Sequence, residues 1–179
     1  MPSLTVVCGN AGTGKSTWAK LIAQRVGAAL LDLDTVSERL VAAAQREWGR
    51  SEHDRDSAEY KRVFREPVHE TLFAIARDCA GPVVIVAPFT RERSLPNFRE
   101  WLSGKCARLA QVHYFVCDEQ VREARLRARG NPRDAAKFLD YAAYRSIAPG
   151  ERPPAYPHLW FDTTHYFPGE AELIESSPA

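Results

Sequence analysis

The sequence predicts an α/β fold in which a parallel sheet of about five strands carries helices on both faces. Three observations lead there. Short, solidly apolar runs of strand length recur along the chain, as at Leu4–Cys8 and Val83–Ala87. Segments of helical period separate them. A glycine-rich turn joins the first run to the first helix. The chain has 179 residues, of which 45% are apolar and 26% charged, which suits a single domain over residues 1–179 with one core. Its net charge of +1 argues against an extended nucleic-acid track or an anionic membrane surface as the main partner. The basic residues are 19 Arg and 5 Lys, a bias that directs attention to arginine as a reader of anions.

The elements follow in order. Leu4–Cys8 is a strand that ends at Gly9, and Gly9–Ser16 is the glycine-rich turn. Ser16–Val26 is a helix with Trp18, Leu21, Ile22 and Val26 on one face and Gly27 as its stop. Ala28–Leu31 is the second strand. Thr35–Trp48 is helical, with Thr35 as N-cap and Glu38 completing a capping box. A charged break over Gly49–Ser57 precedes a helical segment, Ala58–Cys79, that Pro67 should kink or split. Val83–Ala87 is the third strand, Pro88–Pro96 a loop and Asn97–Leu102 a short helix. Gln111–Cys117 is the fourth strand. Asp118 caps a helix that runs to Arg129 and stops at Gly130. After Asn131-Pro132 a further helix spans Arg133–Ser146. A connector with Pro149, Pro153, Pro154 and Pro157 leads to a last strand, His158–Phe161, and a weak helix over Gly169–Glu175. Ligands of parallel sheets bind at the carboxyl ends of the strands, so the turns after Cys8, Leu31, Ala87 and Cys117 should share one rim.

The turn Gly9-Asn10-Ala11-Gly12-Thr13-Gly14-Lys15-Ser16 fits G-x-x-x-x-G-K-S/T and stands between a strand and a helix, the context that gives this pattern meaning. Glycines let the backbone wrap an anion, successive N–H groups and the helix N-terminus face it, Lys15 reaches the outer phosphates and Ser16 ligates Mg²⁺. The loop resembles the Walker A loop of P-loop NTPases. The rest of the chain is similar to the small P-loop kinases: shikimate and gluconate kinases, chloramphenicol phosphotransferase and zeta-toxin-like kinases. The resemblance implies a three-layer P-loop sandwich with a kinase-type lid over residues 125–145 and an acceptor-side helical segment over residues 35–80. It also implies ATP and Mg²⁺ as cofactors, with ATP held by Gly9, Asn10, Ala11, Gly12, Thr13, Gly14, Lys15, Ser16 and Thr17.

Asp32-Leu33-Asp34 follows the second strand. Alternate residues of an extended segment point to opposite sides, so the two carboxylates should do different work. In shikimate and gluconate kinase-like proteins a D-x-D here serves the metal and the acceptor. Carried over, Asp32 joins Ser16 at Mg²⁺, and Asp34 contacts the acceptor hydroxyl and takes its proton. No acid follows the third strand, where Pro88-Phe89-Thr90 stands, which argues against a mechanical or hexameric ATPase; no NKxD motif points to a GTPase. The next loop carries Arg91 and Arg93, with Arg91 a candidate for the substrate wall. Arg125-Leu126-Arg127-Ala128-Arg129 looks like the R-L-x-x-R start of a kinase lid. By that likeness Arg125 stacks on adenine, Arg129 touches phosphates and Arg133 arrives as the lid closes, keeping water from the γ-phosphate. Arg122 and Arg127 read as an exposed face. In the acceptor segment Asp54, Arg55, Asp56, Arg62 and Arg65 are polar candidates, Arg55 and Arg65 foremost.

Cys8, Cys79, Cys106 and Cys117 show no metal spacing and read as reduced, and no secretory leader or membrane-length apolar run is visible, so the expectation is a cytoplasmic protein. The five histidines show no ligand spacing and read as structural or exposed. The expected activity is an ATP-dependent kinase that phosphorylates a hydroxyl of a small molecule. The rival within kinases is a polynucleotide 5′-hydroxyl kinase, and the rival of another class an ATP-binding regulatory protein that turns over no acceptor. The acceptor and the oligomeric state are not legible.

Overall fold

β1 (Leu4–Gly9) is the axis of the sheet, and all six of its residues are buried. In the computed structural model, which describes residues 3–139, 141, 144 and 152–165, four further strands join it. These are β2 (Ala29–Asp32), β3 (Val83–Val86), β4 (Ala110–Val116) and β5 (Leu159–Asp162). All pairings are parallel, in the order β2-β3-β1-β4-β5. Parallel pairing needs crossovers, and the helices supply them. They are α1 (Lys15–Val26), α2 (Leu33–Glu47), α3 (Ala58–Asp78), α4 (Phe98–Cys106), α5 (Glu119–Arg129) and α6 (Ala135–Leu139).

Strand alternation sorts the core into two layers. On one face Val6, Cys8, Ile85, Val112 and Tyr114 pack against Leu72 and Phe73 of α3 and Phe98 and Leu102 of α4. On the other, Val7, Val84, Val86 and Phe115 pack against Trp18, Ala19 and Ala23 of α1. Burying each large apolar side chain stabilises by about 1.5–3 kcal/mol, so the two layers fix the strand ends, and with them the loops that leave the carboxyl rim.

Several elements differ from the sequence reading. α2 starts at Leu33, not after Thr35: Asp32 is the N-cap, its carboxylate accepting hydrogen bonds from the Asp34 and Thr35 amides. An aspartate at the end of β2 reaches those amides, so the N-cap lies three residues sooner and the Thr35–Glu38 capping box does not form. α3 runs unsplit through Pro67, which lies on the exposed side, while Val68, Leu72, Phe73 and Ala76 anchor the following turns. α4 extends to Cys106 because Phe98, Leu102 and Cys106, spaced by four, are all buried. The expected Arg133–Ser146 helix begins instead with a 3₁₀ turn, Pro132–Asp134, before α6. The expected Gly169–Glu175 helix and Pro149 lie outside the described residues. The four cysteines are free thiols. Among the described residues no helix is long and apolar enough to cross a membrane.

Phe89, just after β3, takes a left-handed conformation (φ 45°) that bulky residues rarely adopt. Its burial compensates: the ring is fully enclosed, stacked on Phe73 at 6.2 Å and edge-on to Phe98 at 5.5 Å. This anchor sets Pro88 and Thr90 at the rim, where both line the cleft described next.

Candidate active site

A cleft of about 770 Å³ opens at the carboxyl ends of the strands. Its floor is the turn between β1 and α1. Gly9 has φ +136°, and a Cβ there would lie 2.1 Å from the Phe115 carbonyl oxygen, so only glycine permits β1 to pass β4 at this point. Gly12 (φ +85°) rests against Arg122 Cγ and Leu126 Cγ of α5, which leaves no room for a side chain. The Thr13 hydroxyl donates to the Asn10 carbonyl at 2.9 Å and ties the turn to itself. The Lys15 ammonium also donates to that carbonyl. Burial, then the positive charge of Arg93, push the Lys15 pKa down to about 8. A turn of this shape, opening a helix and holding a desolvated ammonium, has the geometry and charge that suit a polyphosphate.

The two aspartates have different surroundings, not through strand alternation but because the helix starts between them. Asp32 Oδ2 accepts from the Ser16 hydroxyl at 3.1 Å while Oδ1 caps α2. The hydroxyl and carboxylate form a hard oxygen pair beside the turn. No cluster of three or more His, Cys, Asp or Glu occurs among the described residues. Two protein oxygens completed by phosphate and water is the ligand set that suits Mg²⁺, so Ser16 and Asp32 fit that ion. Asp34, in the first turn of α2, points its carboxylate to Arg133 Nη1 at 3.0 Å, and Glu38 lies 3.7 Å from Arg133 Nε. Arg133, expected as a lid arginine, thus stands on the expected acceptor carboxylate rather than on the phosphate loop.

The segment expected to form a lid carries further ion pairs. Arg129 binds Asp134, which is almost fully buried, and Lys137 reaches both Asp134 at 2.9 Å and Asp56 at 3.4 Å. Burial alone would raise the Asp134 carboxyl, but hydrogen bonds from Arg129 and Lys137 hold it below its usual range. Arg125 donates to the Thr163 hydroxyl at 3.0 Å and carbonyl at 2.7 Å. Thr163 Oγ1 lies 3.1 Å from the Thr13 carbonyl oxygen. The loop after β5 therefore touches both the phosphate loop and the arginine expected near the base. Asp162 caps that loop through the Thr164 amide.

On the acceptor side, Lys61, Arg65, Val68 and His69 present one face of α3 to the cleft. Arg65 binds both oxygens of Glu92 at 2.9 and 3.0 Å, and Arg55 donates to the Glu52 and Asp54 carbonyls with its guanidinium 5.5 Å from the Tyr60 ring centre. The other acceptor-side candidates do structural work. Asp54 accepts the Asp56 and Ser57 amides, and Arg62 is exposed beside Glu59. Arg91 is exposed and does not line the cleft; its neighbour Arg93 is the buried one. Arg122 is likewise buried against Gly12, contrary to the exposed face expected, whereas Arg127 does pair with Glu123 at 2.6 Å. Tyr60, His69 and Lys137 were not legible as cleft residues, although the spacing of His69 from Arg65 and Lys61 marks a common helix face.

No curated protein matched the chain. Among solved structures, a sugar kinase from Janibacter sp. is similar over 89% of this chain and 84% of its own, at 19% identity and TM-score 0.58. A gluconokinase from Sinorhizobium meliloti aligns over 93% and 85%, at 17% identity and TM-score 0.55. A shikimate kinase from Bacteroides thetaiotaomicron aligns over 82% and 80%, at 19% identity and TM-score 0.50. These likenesses establish the P-loop kinase-like fold. A family model described as an AAA domain (AAA_33) matches residues 4–148. With its glycine-rich turn and four of the five strands of the sheet inside that span, the chain belongs to this AAA domain family.

Proposed function

We propose that the protein is an ATP-dependent phosphotransferase that moves the γ-phosphoryl group to a hydroxyl of a small molecule. One observation carries this reading: Lys15 on the phosphate loop, the Ser16–Asp32 oxygen pair and Asp34 line a single cleft. Phosphoryl transfer needs little covalent help from the protein. It needs an acceptor held in line and donors placed where charge develops.

The chain's groups divide that work. The loop amides from Asn10 to Ser16 and the Lys15 ammonium bind the polyphosphate. Ser16 and Asp32 would hold Mg²⁺, which when bound neutralises phosphate charge. Asp34 orients the acceptor hydroxyl and accepts its proton as the new O–P bond forms, while the nucleoside diphosphate departs with the old one. Arg133 sits at 3.0 Å from Asp34, where it can share the carboxylate with a bound hydroxyl and stabilise the transferring group. Arg129 and Arg125 brace the lid and the β5 loop at the nucleotide side. Arg55 and Arg65, with Lys61 and His69, form the acceptor wall. A cytoplasmic location accords with ATP as donor and with four free thiols.

The test is incubation with ATP and Mg²⁺ against a panel of sugar acids, nucleosides, activated sugars, hydroxylated antibiotics and a 5′-hydroxyl oligonucleotide, read by mass spectrometry for a phosphorylated product. The expected result is transfer to one small-molecule class, lost in Asp34→Asn. Tight ATP binding with no product from any compound would replace this reading by a regulatory one, and product from the oligonucleotide alone would replace it by a polynucleotide kinase.

A further inference from the structure

Arg93 is the largest of the fully buried side chains, with 1% of its surface exposed, yet it is a cation. Its Nη2 donates to Asn10 Oδ1 at 2.5 Å and its Nη1 to the Pro88 carbonyl at 3.4 Å. Its guanidinium carbon lies 5.4 Å from the Tyr114 ring centre, and the Tyr156 hydroxyl donates to its backbone carbonyl at 2.9 Å. Its buried Nε has no hydrogen-bond partner, and none of the ion pairs among the described residues includes it. A buried guanidinium with neutral partners only is expensive, and a protein keeps one where something repays it.

What repays it is one residue away. Asn10 belongs to the phosphate loop and is itself buried. Its side chain is held by Arg93, while its carbonyl receives both the Thr13 hydroxyl and the Lys15 ammonium. The same residue therefore links the buried cation to the cation of the loop. We propose that Arg93 is a positioning residue of the phosphate site: it fixes the loop through Asn10 and stores behind it a positive charge that the bound polyphosphate, rather than any carboxylate among the described residues, balances. The proposal rests on the loop's binding polyphosphate, as in the function proposed above. The positive charge of Arg93 acts on Lys15 as well, adding to burial in lowering that ammonium's pKa.

The test compares wild type, Arg93→Lys and Arg93→Gln by calorimetry with three probes: tripolyphosphate, ATP with Mg²⁺, and adenosine. Loss of a charge-assisted contribution weakens tripolyphosphate and ATP binding by about tenfold or more in Arg93→Gln. Arg93→Lys, which keeps the charge but not the two-pronged contact to Asn10 and Pro88, should lose less affinity for the same probes than Arg93→Gln. Adenosine affinity should not change in either. A role confined to packing would lower thermal stability and leave the ratio of ATP to adenosine affinity untouched. Equal tripolyphosphate affinity in folded Arg93→Gln and wild type overturns the proposal, as does an equal loss in Arg93→Lys and Arg93→Gln. If Arg93→Gln does not fold, Asn10→Ala frees the loop from the guanidinium and should show the same selective loss; unchanged tripolyphosphate affinity there overturns the proposal. A folded wild type that binds neither tripolyphosphate nor ATP would overturn the proposed function as well, whereas wild-type binding with insensitive variants overturns the role of Arg93 alone.

Discussion

Gly9→Ala is the sharpest test of how the phosphate loop is joined to the sheet. Gly9 is the last residue of β1 and lies in register with Phe115 of β4. Its φ of +136° is a conformation that L side chains rarely adopt, and a built Cβ falls 2.1 Å from the Phe115 carbonyl oxygen and 3.0 Å from its carbonyl carbon. The backbone strain costs about 1–3 kcal/mol. The contact adds about 1–3 kcal/mol, since the obstacle is backbone in a paired strand and cannot turn aside as a side chain would. The stiffer unfolded chain offsets up to about 1 kcal/mol, leaving a net loss of about 1–6 kcal/mol. For a chain of this size that lowers Tm by about 2–24 °C. Urea unfolding followed by circular dichroism measures it, with the midpoint falling and the m value unchanged. Gly130→Ala is the matched control. Gly130 also has positive φ (+58°), but a Cβ there meets nothing within 4 Å, so the loss should be about 1 kcal/mol. If Gly9→Ala costs no more than Gly130→Ala, the close approach of β1 and β4 at the loop is not what demands glycine.

Three further outcomes follow from the site and the core. Burial and Arg93 hold the Lys15 pKa at about 8, with Cys8, Asp34 and Arg129 the other charged or titratable groups acting on it. ATP binding should therefore weaken as pH rises through about 8, approaching tenfold per pH unit as Lys15 must take up a proton to meet the phosphates. Calorimetry between about pH 7 and 9.5 should show that proton uptake, and a flat Kd would refute it. His113 accepts from Trp18 Nε1 at 3.1 Å, and burial pushes its pKa from 6.5 down to about 4. The unfolded chain then binds the extra proton first, so stability is lost as pH falls from 6.5 towards 4, by up to about 3 kcal/mol. His113→Gln should flatten that slope in urea titrations, and parallel pH curves would refute the assignment. Arg133→Ala breaks a pair whose Asp34 side chain is 56% exposed, so the stability cost should stay within about 1 kcal/mol. Phosphotransfer should nevertheless fall about 100-fold or more with ATP affinity little changed, and retained turnover would remove Arg133 from the reaction.

The fold was legible because local signals agreed with each other. Apolar runs, helical period, Asp118 as cap and Gly130 as stop all pointed to the same elements. Where the reading missed, two local rules competed and packing chose between them. Thr35 and Asp32 both suit an N-cap, but only Asp32 sits at the end of β2, where its carboxylate reaches the next amides and Ser16 together. Pro67 argues for a split helix, but four buried residues beyond it hold α3 in line.

The sequence by itself determined the phosphate loop, its lysine and its hydroxyl, because contiguous residues build that site and their order is their geometry. It marked the two aspartates as candidates, but the start of α2 at Leu33, not strand alternation, separates them. Only the tertiary structure decided which arginines matter. Arg91 and Arg93 are indistinguishable as letters in a loop, yet one is exposed and the other lies buried against Asn10, far away in the chain. Arg133 and Asp34 meet across nearly the whole span between α2 and the lid, and the α3 face reaches the cleft only because the sheet brings β2 beside β3. The physical reason is range: backbone chemistry is written locally, whereas burial and charge pairing are properties of neighbours that the chain alone does not order.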